Sequence, residues 1–154
     1  MNIIEATDLT NIQKQAIYRL WNAEYPALLA YTSLAEFDVY LAELSAQRHY
    51  LLIDGSAIRG WLFLFDRDGQ RWFAIIIDSS IHGQGFGTRL LDLAKSVSRS
   101  LHGWATDHNR NIKLDGTSYK SPINFYLQNN FAIQPALRLD TEKISAVKIE
   151  WHKE

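Results

Sequence analysis

The run Phe73-Ala74-Ile75-Ile76-Ile77-Asp78-Ser79-Ser80-Ile81-His82-Gly83-Gln84-Gly85-Phe86-Gly87-Thr88-Arg89-Leu90-Leu91 joins three signals. Phe73–Ile77 is apolar on both faces of an extended chain, as expected of a central strand covered on both sides and the most buried of its sheet. Gly83, Gly85 and Gly87 follow as a Gly-x-Gly-x-Gly loop. Leu90, Ala94, Val97, Leu101 and Trp104 then recur at helical spacing, with Asp92, Lys95 and Arg99 on the outer face. This spacing predicts one helix that runs on through His102–Asn109. Glycines between a buried strand and an amphipathic helix let the backbone approach a ligand. The first N–H groups of such a helix lack intrahelical acceptors, and its dipole adds positive potential. The side chains of the loop are neutral, so an anion would be gripped by amides. Pyrophosphate suits that arrangement. A turn serving only chain geometry is the plainer alternative, and the loop's place between strand and helix argues against it.

Two phosphate-binding motifs fail here. A P-loop ends in Lys-Ser/Thr, whereas Gly87 is followed by Thr88 and Arg89. A dinucleotide fingerprint needs Gly-x-Gly-x-x-Gly in a parallel βαβ unit. The spacing differs, and the runs before the loop do not form such a unit. Tyr50–Ile53, Trp61–Phe65 and Arg71–Asp78 are β-rich and are separated by Asp54-Gly55 and Asp66-Arg67-Asp68-Gly69. That pattern predicts an antiparallel meander.

Further out, residues 2–6 predict a first strand. A helix capped by Asp8 or Thr10 carries Ile12, Ala16, Ile17, Leu20 and Trp21, and Pro26 ends it. Ser33 with Glu36 three residues on marks the start of a second helix bearing Leu34, Phe37, Leu41 and Leu44. Ile112–Asp115 predicts a short strand, and Ser121-Pro122 opens a helix over Ile123–Asn130. Phe131–Leu139 and Ala146–Trp151 predict two closing strands.

The composition fits this single α/β domain. The 154 residues are 47% hydrophobic and 21% charged, with a net charge of -1. Disorder needs the opposite balance. No excess of positive charge points to nucleic acid, and no apolar run approaches the roughly 20 residues of a membrane helix. No signal-peptide pattern opens the chain, so a cytoplasmic protein is the expectation. Cysteine is absent, which excludes disulfides, thiolate metal sites and a cysteine nucleophile.

His82-Gly83-Gln84-Gly85-Phe86-Gly87-Thr88-Arg89-Leu90-Leu91 resembles the acetyl-CoA loop of the GNAT superfamily of N-acetyltransferases, Gln/Arg-x-x-Gly-x-Gly/Ala before a leucine-rich helix. Gly85 and Gly87 take its glycine positions, and His82 replaces the first residue. Ile77-Asp78-Ser79-Ser80-Ile81 resembles the family's Val-Asp-Pro-x-Tyr lead-in, with Ser79 for proline. Ile123-Asn124-Phe125-Tyr126-Leu127-Gln128-Asn129-Asn130-Phe131 resembles its Ala-Ile-x-Phe-Tyr-x-x-x-Gly-Phe segment, with Asn130 for glycine. Tyr119 stands where the family often has asparagine. The order of elements agrees over essentially the whole chain.

The resemblance implies a mixed, mostly antiparallel sheet flanked by helices, with a splayed central strand. It implies direct acetyl transfer from acetyl-CoA to a primary amine, with no metal. Amides of Gly83, Gln84, Gly85, Phe86, Gly87 and Thr88, with His82 orienting the loop, would bind pyrophosphate. Backbone of Ile76, Ile77 and Asp78 would pair with the pantetheine arm, and an N–H near Ile77 would face the oxyanion. Tyr126 matches the general acid that protonates the departing thiolate; packing beside Phe125 is its plainer role. For the base, Asp78, Asp115, Glu24, His49, His82 and water compete. Glu24, Asp115 and Trp61 are candidate acceptor contacts, while Trp21, Trp72, Trp104 and Trp151 suit a core. Lys95 and Arg99 suit a solvated helix face better than a nucleotide phosphate. A non-catalytic acetyl-CoA sensor is the alternative function. The faces of the last strands are candidates for homodimer pairing.

Overall fold

Alternating and doubly apolar runs resolve into one seven-stranded sheet in the computed structural model, which describes residues 1–154. The strands are β1 (Asn2–Ala6), β2 (Ser45–Asp54), β3 (Ala57–Arg67), β4 (Gln70–Ile77), β5 (Ser100–Ala105), β6 (Ala132–Asp140) and β7 (Ser145–His152). They lie in the order β1-β2-β3-β4-β5-β7-β6, antiparallel throughout except where β4 meets β5.

Helices cover both faces. α1 (Asn11–Glu24) starts on a full capping box: Thr10 Oγ1 accepts the Gln13 N–H, and Gln13 Oε1 accepts the Thr10 N–H. α2 (Leu34–Ala42) is capped by Ser33, whose hydroxyl accepts the Glu36 N–H. The Glu36 carboxylate itself takes the Thr32 hydroxyl. These two helices bury Ile17, Trp21, Phe37 and Leu41 against Leu51, Trp61, Phe63 and Ile76. On the opposite face α3 (Phe86–Ser96) and α4 (Ile123–Gln128) bring Leu90, Leu91, Ala94 and Tyr126 onto Leu62, Leu64, Phe73 and Ile149. β3 thus feeds both cores, Trp61, Phe63 and Phe65 to one and Leu62 and Leu64 to the other, by the period of two along a strand. It is β3, not β4, that is buried without a break from Gly60 to Phe65. β4 is central in the sheet, but its second half borders a gap.

Two segments depart from their predicted structure. The helix after the glycine loop stops at Ser96, and Leu101 to Ala105, expected as its continuation, form β5. Leu101 and Ala105 are four apart, a spacing that either period satisfies. Gly103 breaks the tie, since a Cβ there would lie 2.9 Å from the Phe73 ring of the neighbouring strand. Conversely, Ile112–Asp115 is not a strand. Only Ile112 bridges to Ser118 within a loop, and Ile112 and Leu114 are exposed. The place beside β4 is taken by β5.

The parallel contact between β4 and β5 consists of one register pair, Trp72 opposite His102. Beyond it the two strands part. That split positions the site.

Candidate active site

The split between β4 and β5 opens into a cavity of about 860 Å³. Its floor is Phe73–Ile77, and its walls come from α1, the loop before α2, the glycine loop, α4 and the segment that follows β5. Register tells which backbone groups face it. Gly60 lies opposite Ile77, and the Asp78 N–H donates to the Arg59 carbonyl at 2.8 Å. Gly60 and Ile77 are therefore a non-hydrogen-bonded pair, and the peptide groups of Ile77 and Ile75 point away from β3 into the split. Two contacts agree: the Tyr25 hydroxyl donates to the Ile75 carbonyl at 3.4 Å, and His82 Nε2 lies 2.7 Å from the Ile77 carbonyl.

The glycine loop closes one end. Gly85 is the N-cap of α3 at φ +84°, a left-handed conformation costly for any residue with a Cβ. No side chain caps this helix. The N–H groups of Gly83, Gln84, Gly85, Phe86, Gly87 and Thr88 have no acceptor within the chain. Gly87 is needed for a different reason: a Cβ there would sit 2.8 Å from Phe125 Cζ. Its hydrogen lets α4 pack against the loop. An unpartnered row of amides at a helix N-terminus is chemistry suited to a phosphate group. The floor beside it offers strand-like pairing to an extended amide-bearing arm.

Tyr126 is 7% exposed and packs edge-on to Phe73 and Phe131. Its hydroxyl bonds to no group of the chain, and the residue lines the cavity. Burial raises its pKa well above the ordinary phenol value, so it stays protonated as a donor. Tyr119 shares the wall; burial, then the charge of Glu24, pushes its pKa up to about 12. Burial likewise raises that of Tyr25, with Tyr119 and Tyr126 adding to the effect.

The structure brings together Ile76, Ile77, His82, Gly83, Gly85, Phe86, Gly87, Thr88, Glu24 and Tyr126 around the cavity. Gln84 projects outside it. Asp78 is absent from the wall and is otherwise engaged. Its Oδ1 accepts the Ser80 N–H at 2.9 Å and the Ser80 hydroxyl at 2.7 Å, and Arg59 lies 3.7 Å from Oδ2. Burial alone would raise this carboxyl, but those partners outweigh it and hold the pKa below the usual range. Glu24 is on the wall but paired: Oε2 accepts the Ser79 N–H and Oε1 takes Lys113 Nζ, each at 3.0 Å.

Asp115, expected at a strand end near the cleft mouth, instead turns the loop between Lys113 and Thr117. Its Oδ1 is held by the Thr117 N–H and hydroxyl, away from the cavity. The tryptophans exchange their expected places. Trp61 is 0% exposed, stacks on Phe63 at 4.2 Å and donates its indole N–H to His49 Nδ1 at 3.0 Å. Trp21, Trp72 and Trp104, expected only in the core, line the cavity. The reason is the split itself, which lays bare the face of β4 and β5 toward α1 and α2. His49 is sealed in the core with Trp61. Lys95 is only half-exposed: its Nζ donates to the Asn129 carbonyl at 2.6 Å, tying α3 to the end of α4. Asn130, at the family's glycine position, has φ +66°.

Sequence reasoning missed Tyr25, Tyr31, Tyr40, Phe65, Arg67, Lys113 and Tyr119 on the wall. Of these, Tyr119 alone carried a signal, as the residue standing where the resembling family often has asparagine.

Solved structures of acetyltransferases, some of them described as GNAT superfamily members, share this fold over the full chain. An aminoglycoside 6'-N-acetyltransferase complexed with coenzyme A superposes with a TM-score of 0.74 at 14% identity, covering 99% of this chain and 97% of that one. The aminoglycoside 6'-N-acetyltransferase from Enterococcus faecium gives 0.71, also at 14% identity, over 99% and 97% of the two chains. A GNAT superfamily phosphinothricin acetyltransferase from Sinorhizobium meliloti, in complex with AcCoA, gives 0.67 at 12% identity, over 99% and 89%. At these identities the likeness is one of fold. No family profile matches the sequence, and no curated protein matches it either.

Proposed function

We propose that the chain is an acetyl-CoA-dependent N-acetyltransferase that passes the acetyl group directly to a primary amine. One observation carries the reading. Six consecutive N–H groups, Gly83 to Thr88, lack acceptors at the mouth of a split whose floor turns the peptide groups of Ile75 and Ile77 inward. That is a pyrophosphate grip followed by a track for a pantetheine arm. Two of the solved structures alike in fold hold coenzyme A or AcCoA.

The chain's own groups then supply the remaining steps. The inward N–H of Ile77 is placed to take negative charge from the thioester oxygen as the amine attacks. The free hydroxyl of Tyr126 donates a proton to the thiolate as the C–S bond breaks. Glu24, the one carboxylate of the wall, is held by Lys113 and the Ser79 N–H, so the ammonium proton leaves through water. With no cysteine in the chain, no thiol acyl-enzyme forms.

Thermal shift with acetyl-CoA, CoA, ATP and NAD tests the cofactor assignment. Acetyl-CoA and CoA should stabilise the protein and the other two should not; no shift with acetyl-CoA sinks the reading. Thiol release from acetyl-CoA across an amine panel separates an enzyme from a sensor. Tyr126→Phe should lower kcat about a hundredfold while leaving the KM for acetyl-CoA unchanged. An unchanged kcat removes its role as acid.

A further inference from the structure

The far end of the cavity, away from the glycine loop, is built almost wholly of rings. Trp21 lies 4.6 Å from Tyr25, 5.5 Å from Tyr31 and 5.5 Å from Tyr40, centroid to centroid. Across from them Trp72 and Trp104 lie 5.7 Å apart, next to Phe65. Arg67 joins the two groups. Its guanidinium sits 5.0 Å from the Phe65 ring and 5.5 Å from the Trp72 ring, and its charge is felt by Tyr40.

Arg67 has no carboxylate partner. The wall's other charges do not supply one. Glu24 is neutralised by Lys113 at 3.0 Å, and Lys120 and His82 are basic. Glu36 and Glu43 are near enough to influence Tyr31 but do not line the cavity. The acceptor end is thus flat, apolar and net positive. Packed on one another at these separations, the rings present an aromatic wall on which a flat apolar body can stack. A lone planar fork of donors favours a carboxylate in bidentate contact. A polycation, the chemistry of an aminoglycoside, would meet unpaired positive charge with nothing to neutralise its own.

Resting on the acetyltransferase reading above, we propose that the acceptor is a monoamine with an aromatic body and a carboxylate, the aromatic wall taking the body and Arg67 the carboxylate. This makes Arg67 a specificity-determining residue. It lies at the exposed end of β3, and Arg67→Lys keeps a cation beside the Phe65 and Trp72 rings where Arg67→Ala removes it.

The test is acetyl-CoA thiol release with tryptophan, tryptamine, spermidine and kanamycin as probes, on the wild type and on Arg67→Ala and Arg67→Lys. The wild type should prefer tryptophan to tryptamine about tenfold or more in kcat/KM, and should leave spermidine and kanamycin near background. Arg67→Ala should raise the KM for tryptophan about tenfold with kcat within about twofold, and abolish the preference over tryptamine. Arg67→Lys should restore part of it. A polycation acetylated faster than tryptophan, or a preference unmoved in Arg67→Ala, overturns the proposal. Calorimetric titration of tryptophan into the CoA-loaded protein reads the same site without turnover. Binding that weakens about tenfold in Arg67→Ala supports the assignment, and no binding to the wild type overturns it. Acetyl-CoA stabilisation in thermal shift keeps the two readings apart. If it is present while the aromatic acids fail, only the acceptor class falls. If it is absent, the enzyme reading falls and takes the acceptor class with it.

Discussion

Gly87 and Trp61 show how single residues do work that their type alone does not announce. Gly87 is a helical glycine whose value lies in its neighbour, since Phe125 Cζ occupies the space 2.8 Å from where a Cβ would stand. Gly87→Ala should push α4 off the loop, cost about 1–3 kcal/mol of stability and raise the KM for acetyl-CoA. Adding Phe125→Leu should recover part of both, measured by urea denaturation and by steady-state kinetics. Trp61 was legible only as an aromatic at a strand start. It sits in the core because its indole N–H and the imidazole of His49 satisfy one another there. Trp61→Phe leaves that imidazole nitrogen without its donor and should cost about 1–3 kcal/mol. The KM for the amine should not change, because Trp61 does not touch the cavity.

The element scale explains both the successes and the errors of pattern reading. α1, α2 and the meander of β2 to β4 were legible, since their caps, turns and apolar faces are local. β5 was not. Leu101 and Ala105 fit a helix as well as a strand, and the choice rests on Gly103 meeting Phe73 across the sheet. Misplacing β5 also misplaced Asp115, which lost its strand end and became a turn residue. α3 and α4 are linked by Lys95, whose ammonium donates to the carbonyl of Asn129, the C-cap of α4, and lies 5.6 Å from the Phe131 ring and 5.4 Å from the Trp151 ring. Lys95→Ala should lower stability by about 1 kcal/mol, seen as a fall in melting temperature. The KM for acetyl-CoA should stay within about twofold, a result that separates this structural tie from any contact with a nucleotide phosphate.

For the molecule as a whole, the two cores share β3, and acid should lower the stability of both together. His49 is held neutral, first by burial and against the pull of Asp8, so its pKa falls to about 4. The unfolded chain therefore binds this proton at a higher pH than the folded one. Stability should be full near neutral pH and decline as pH falls from about 6.5 toward 4, by on the order of 2–3 kcal/mol. His102, also lowered chiefly by burial, acts in the same direction. Below that window Asp107, held low first by its hydrogen bond from Arg138, and Glu150, held low first by Lys148, withdraw their contributions as they protonate. Urea denaturation across this pH range checks the profile. A flat profile between pH 6.5 and 4 would contradict the burial of His49.

The sequence by itself determined the glycine loop, the helix caps and the meander. Each is written in residues near one another in the chain, where steric and hydrogen-bond rules act over three or four positions. Only the tertiary structure decided the acceptor end. Trp21, Tyr25, Tyr31, Tyr40, Phe65, Arg67, Trp72 and Trp104 come from six separate segments. Nothing local distinguishes a ring that fills a core from one that lines a cavity. What distinguishes them is where β4 and β5 part after Trp72 and His102, and that depends on packing between residues far apart in the chain.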